Sequence, residues 1–429
     1  MKKIAAAFYV LVLASACRQN NVPIVKAAYI DSLITHYSPS ALSNTNSSDI
    51  IFWEKRMDSL PDNFVNGPQY ASALSLRFHL YGNIHDLRKA DSLMKRSNEA
   101  NGEKEPGIFR TLASFAMLQH QFIEADSFLQ KAIRIEGLSL PNVFTQFDVA
   151  FERGDYRKAS SILPSLNKGE SYGYLFRRSK YEHYDGSLDS AIDCMKRAAE
   201  KQTNNNYLKQ AALSNAADLC IHKGLLKEAA ELYTQSISLD AADFHSIMGL
   251  GWIALVHDKN DSLAENIFRF VQQKQHSPDV LLKLEQVAEA RNDTASQKKY
   301  ALAFAQQAGD SIYGHMYSKY LIDLYTGILH EPAKAVKLAE EETISRPTPQ
   351  VFAWYVWSLY RNNELDKAYS IFKQLVSGKP LEGLELYYMG KLMQGINKGY
   401  NSMEFFKAAY KNRYDLSPAK QSELARVLE

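Results

Sequence analysis

The sequence predicts an all-α chain, a solenoid of about ten helix pairs with short helices at either end. Three observations predict it. A small residue recurs at steps of 32 to 39 residues, followed in most copies four places later by a bulky one and three places after that by another small one, with weaker copies at Ala90, Ala159, Ala264 and Ala335. A second apolar segment of helical spacing precedes each copy. A residue suited to a tight turn stands five places before each small anchor. The 429 residues are 46% apolar with only 20 Gly and 13 Pro, which excludes a disordered, collagen-like or disulfide-rich chain.

The chain begins with an address. Met1-Lys2-Lys3 is basic, Ile4 to Ala14 is apolar, and Ser15-Ala16 are small. This is the order of a secretory signal peptide, predicted over 1–16. About eleven apolar residues are too few for a bilayer core, which takes roughly twenty. Ala14-Ser15-Ala16 before Cys17 resembles the bacterial lipobox, with Ala where Leu is usual three residues before the cysteine. The resemblance implies lipidation of Cys17, a polar tether over 17–23, and an outer-membrane protein facing the periplasm. No later stretch is long and apolar enough to predict a transmembrane helix.

Residues 24–68 read as N-terminal helices, at 24–36 and 50–60, separated by a polar loop at 38–48 (PSALSNTNSS). The repeats follow over 69–412. Their anchors are Ala90, Ala125, Ala159, Ala191, Ala229, Ala264, Ser296, Ala335, Ala368 and Ser402. The small anchor lets a neighbouring helix approach, and the bulky residue (Leu129, Met195, Tyr233, Tyr300, Phe372, Phe406) fills the space beside it. The turn residues are His85, His120, Gly154, Gly186, Gly224, Lys259, Arg291, His330, Asn363 and Asn397. Gly, Asn and His tolerate left-handed backbone geometry; Lys259 and Arg291 suit it less. Residues 413–429 form a last helix opened by Ser417-Pro418, whose Lys420, Gln421 and Glu423 would face solvent and cap the stack.

These features resemble the tetratricopeptide repeat family. Ala113, Ser179, Ala217 and Gly390 supply its small residue in the first helix, and Pro380 its closing proline. Phe147, Trp252, Asp323 and Val356 depart from the small-residue position. The resemblance implies a right-handed superhelix whose concave groove receives a protein or peptide. The chain thus reads as an interaction scaffold or assembly factor moored in the cell envelope. The alternative is capture of a small ligand, peptide or glycan on the same surface. Candidate contacts are Asp148, Lys180, His183, Tyr184, Asp218, His222 and the patch Trp357, Tyr360 and Arg361, since aromatic and Arg side chains dominate interface energies.

Little in the sequence argues for catalysis or cofactors. There is no phosphate loop, zinc motif, nucleophile elbow or EF-hand, so no enzyme, cofactor or metal is expected. Asp258 to Ser262 reads as a helix-to-helix turn. Cys194 and Cys220 fall on faces that look buried and read as two separate thiols, with a disulfide as the other possibility. Without Lys2 and Lys3 the chain carries 48 basic and 48 acidic side chains, which argues against a nucleic-acid partner.

Overall fold

Polar helices are the hardest to read from composition, and the first long helix shows why. In the computed structural model, which describes residues 22–59, 65–396 and 399–429, α1 spans Ala27–Thr35 and α2 spans Ala41–Ser59. The expected polar loop at 38–48 is therefore mostly helix. Its inward stripe is Ser43, Asn46 and Ile50. Asn46 donates to the Ala73 carbonyl at 2.8 Å, and Ser43 hydrogen-bonds Tyr81. Buried polar groups with partners cost little, so a polar stripe seats this helix where an apolar one was sought. The predicted signal peptide, Cys17 and turn residue Asn397 lie outside the described residues.

Ten helix pairs follow among the described residues. They are α3 (Asn66–Tyr81) with α4 (Ile84–Ala100), α5 (Pro106–Leu118) with α6 (Phe122–Glu136), and α7 (Leu140–Glu152) with α8 (Tyr156–Leu166). Next come α9 (Tyr172–Tyr184) with α10 (Leu188–Glu200), α11 (Asn206–Lys223) with α12 (Leu226–Leu239), and α13 (Phe244–Val256) with α14 (Asp261–Gln272). Then follow α15 (Asp279–Ala290) with α16 (Thr294–Ala308), and α17 (Ser318–Thr326) with α18 (Pro332–Ser345). α19 (Pro349–Arg361) pairs with α20 (Leu365–Ile371), which runs on into a π-helical turn at Phe372–Val376; α21 (Gly383–Ile396) pairs with α22 (Ser402–Lys411). α23 (Pro418–Leu428) ends the chain.

The small-against-bulky rule holds at atomic level. Ala125, Ala159, Ala191, Ala229, Ala264, Ala335 and Ala368 are fully buried. A Cβ on Gly390 would lie 2.5 Å from the Phe406 ring, so only glycine lets α21 reach α22. The expected departure at Trp252 is a matter of register. The turn after α13 holds one residue more, so Gly251 takes the small position, where a Cβ would lie 2.6 Å from Phe268. The seventh anchor is also displaced by one. Asn292, not Arg291, is left-handed, and Ala301 and Phe304 are buried instead of Tyr300 and Ala303. In the first pair the left-handed residue is Gly82, and His85 sits inside α4. Lys259 does adopt the left-handed conformation (φ 53°), as do His120, His330 and Asn363.

The ribbon of pairs then stacks on itself. Tyr81, at the first turn, accepts a 2.8 Å bond from the His276 amide in the loop between the sixth and seventh pairs. Arg88 donates to the Ile312 carbonyl between the seventh and eighth. Glu152, at the third turn, pairs with Arg346 at 3.1 Å between the eighth and ninth. At the fifth turn, the His222 carbonyl accepts from Asn412 at 3.0 Å, just beyond the tenth pair. The stride is constant, so the edge of one superhelical turn seats on the edge of the next. α23 departs from its expected role. Its polar face meets protein, because Lys420 pairs with Asp323 and Glu423 accepts from Tyr387 and Lys391.

Candidate functional site

Stacking the turns closes the inner face of the ribbon into a chamber. First helices supply most of its lining, the C-terminal ends of α7, α9 and α11 meeting the N-terminal ends of α15, α17, α19 and α21 there. Two cavities, about 440 and 480 Å³, share Lys319, Tyr320 and Glu382 and so adjoin at those side chains.

In the first cavity Glu152 receives both Lys180 and Arg346. Burial works against its charge, yet those two cations outweigh it and hold the carboxyl down at about 2. Beside them Tyr184 stacks on Tyr156 at 3.6 Å. Lys319 bridges the cavities, 3.5 Å from Glu382 and 3.4 Å from Glu385. Burial opposes its charge as well, but Glu385 and Glu382 raise its pKa above the usual lysine value.

In the second cavity Asp218 accepts from Tyr233 at 2.5 Å and pairs with His245 at 2.9 Å. Asp323 takes Lys420 at 3.0 Å and the Tyr388 hydroxyl at 2.6 Å. His222 Nδ1 lies 2.6 Å from Asp415. Burial disfavours a charged His222, but Asp415, Glu382 and Asp218 outweigh it and raise its pKa to about 9. Asp218 raises His245, whose side chain is largely exposed, to about 9. His183, whose ring centroid is 4.9 Å from that of His222, is pushed down by burial and by that neighbouring charge.

A raised histidine pKa contributes stability fully below the unfolded value of about 6.5 and loses it as pH rises through about 9. The melting temperature should therefore decline across that window. A His222→Gln, His245→Gln double variant should show a flatter profile by calorimetry; an equal slope would refute the assignment.

Of the predicted residues, the structure brings Lys180, His183 and Tyr184 to the first cavity and Asp218 and His222 to the second. Asp148 is engaged by Arg177. Trp357 is corrected to a core residue: it is 5% exposed, stacks on Tyr388 at 4.5 Å and donates to Thr326 at 2.9 Å. Its flat ring fills the space between first helices, so it offers no face to a partner. Tyr360 packs over Gly395, and Arg361 is exposed above the Trp357 ring at 5.2 Å; neither lines the chamber. His257 bonds the neighbouring Asp258. Sequence reasoning missed Lys283, Lys319, Arg346, Glu382, Asp415 and Lys420. Asp323 alone left a signal, as a charge at a small-residue position. Cys194 and Cys220 are both free and buried. Among the described residues no group of three or more His, Cys, Asp or Glu is placed to hold a metal, and no helix is long and apolar enough to cross a membrane.

Ten helix pairs, most of them locked by a small residue against a bulky one, make this a solenoid of the tetratricopeptide type, wound so that its inner face lines two partly open cavities. No family model matches the sequence, and no curated protein matches it. Among solved structures it is similar to PilF of Pseudomonas aeruginosa (12% identity, 50% of this chain and 97% of that one, TM-score 0.37). It is also similar to a tetratricopeptide repeat protein of Parabacteroides merdae (14%, 72% and 98%, 0.33) and to Cut9 in its complex with Hcn1 (14%, 86% and 65%, 0.46).

Proposed function

We propose that this is a non-enzymatic binding protein of the cell envelope, anchored by lipid on Cys17, that receives a small polar ligand or the end of a peptide in its chamber. One observation carries the reading. The inner face that an open array would leave free for a protein chain is here covered by later repeats, and two adjoining cavities remain. Their size is that of small-ligand sites, and their lining, rich in charged side chains with Tyr and Trp rings between them, suits a polar ligand. Lys180, His183, Tyr184, Asp218 and His222 are the proposed contacts, with Asp148 acting through Arg177.

An interaction scaffold is the second reading, supported by Ile51 and Phe52, which are 69% and 52% exposed on α2. Tyr360 and Arg361 would then serve a partner on the outside.

A thermal-shift screen of sugars and short peptides tests the first reading. A ligand at a hundred times its Kd adds about 2.7 kcal/mol, a rise of several degrees. The rise should be lost in Lys180→Ala and Tyr184→Ala. A rise that survives both variants places the ligand elsewhere, and no rise with a stoichiometric protein partner recovered from envelopes supports the scaffold. Cys17→Ser should move the protein from the membrane to the soluble fraction.

A further inference from the structure

In the second cavity every ionised side chain but one has a direct polar partner among the described residues. Asp218 faces His245, Asp323 faces Lys420, Glu382 faces Lys319 and Asp415 faces His222. Asp279 is held by the hydroxyls of Ser277 and Tyr317. Lys283 lines the same cavity, and among the described residues its ammonium has neither a carboxylate within ion-pair distance nor a hydrogen-bond acceptor. Its Nζ lies over the face of Trp252, 4.0 Å from the ring centroid.

The wall therefore presents one ammonium without a direct polar partner, seated over the Trp252 ring.

Resting on the chamber reading above, we infer that the second cavity is a carboxylate-binding site. Lys283 Nζ, held over the Trp252 ring, receives the anion. A peptide C-terminus and a polyhydroxy acid share this chemistry. Burial independently supports the reading: it lowers the Lys283 pKa to about 8 although Asp279 and Asp218 pull the other way. An arriving carboxylate would restore the proton, so binding at pH 8.5 should take up protons from the buffer.

The test uses the full chain and two probe pairs: N-acetyl-Ala-Ala against its C-terminal amide, and glucuronate against glucuronamide. Titration calorimetry at pH 8.5 in buffers of different ionisation enthalpy reads affinity and proton uptake together. At least one acid should bind about tenfold tighter than its amide, the scale of one charge-assisted hydrogen bond, with proton uptake. Which acid binds identifies the source, peptide or sugar acid. Lys283→Met should melt no lower than the native chain, since it removes a cation that makes no ion pair, yet lose both the preference and the proton uptake. Lys283→Arg should keep the preference.

Acids and amides that bind equally would overturn the carboxylate inference and leave the chamber reading standing. So would an acid preference that survives in Lys283→Met. Failure of every probe here and of every compound in the thermal screen would overturn both.

Discussion

Phe268→Ala is expected to lower the unfolding free energy by about 3–5 kcal/mol, the range for removing a fully buried aromatic ring. Phe268 is 0% exposed, and its ring occupies the space left by the missing side chain of Gly251. The two residues are one device, so a second substitution checks the mechanism. Gly251→Ala should cost about 1–3 kcal/mol, because α13 and α14 must part to admit the methyl group. In a Phe268→Ala background the same methyl group should cost much less, since the obstructing ring is gone. A double-mutant cycle by urea denaturation measures this. Additive costs would show that the close approach at Gly251 is not what holds the pair together.

Asp258→Ala should cost about 2–5 kcal/mol and release the N-terminal segment. The Asp258 side chain is 1% exposed. Its two oxygens accept the amides of Ile24 and Val25, both at 2.9 Å, and Oδ1 also meets His257 at 2.8 Å. Removing the carboxylate orphans two backbone donors at a buried site, at about 1–3 kcal/mol for each group left unsatisfied. Hydrogen exchange should show residues 24–36 opening while α3 onward stays protected, and Asp258→Asn should fall between the two. Unchanged protection over 24–36 would mean that α1 is held by its apolar contacts alone.

The repeat was legible because its signal is steric and local. A small residue, a bulky one and a turn residue lie within a dozen positions and recur. Register slips at Ser296 and Trp252 arose where one residue was inserted or displaced in a turn, which no periodicity records. The 38–48 segment was misread because its buried stripe is hydrogen-bonded and not apolar. Half of the chamber was legible. Lys180, His183, Tyr184, Asp218 and His222 sit on first helices, whose inner face follows from the repeat. Arg346, Glu382, Asp415 and Lys420 reach the chamber only because distant turns stack, and a sequence gives no direct sign of that stacking. Trp357 was misplaced because a ring on a first helix can serve a groove or a core, and Tyr388 decides which.

Linear arrays of repeats tolerate damage locally, because each unit leans only on its neighbours and the ends fray first. Here the hydrogen bond from the His276 amide to Tyr81 and the ion pair from Arg346 to Glu152 join units far apart in the chain. The molecule is a coiled spring with its windings fastened together. It cannot lengthen or be shortened by whole repeats without tearing those fastenings. Deleting one repeat would shift every later winding out of step with the one it rests on, so the number of repeats is itself part of the design.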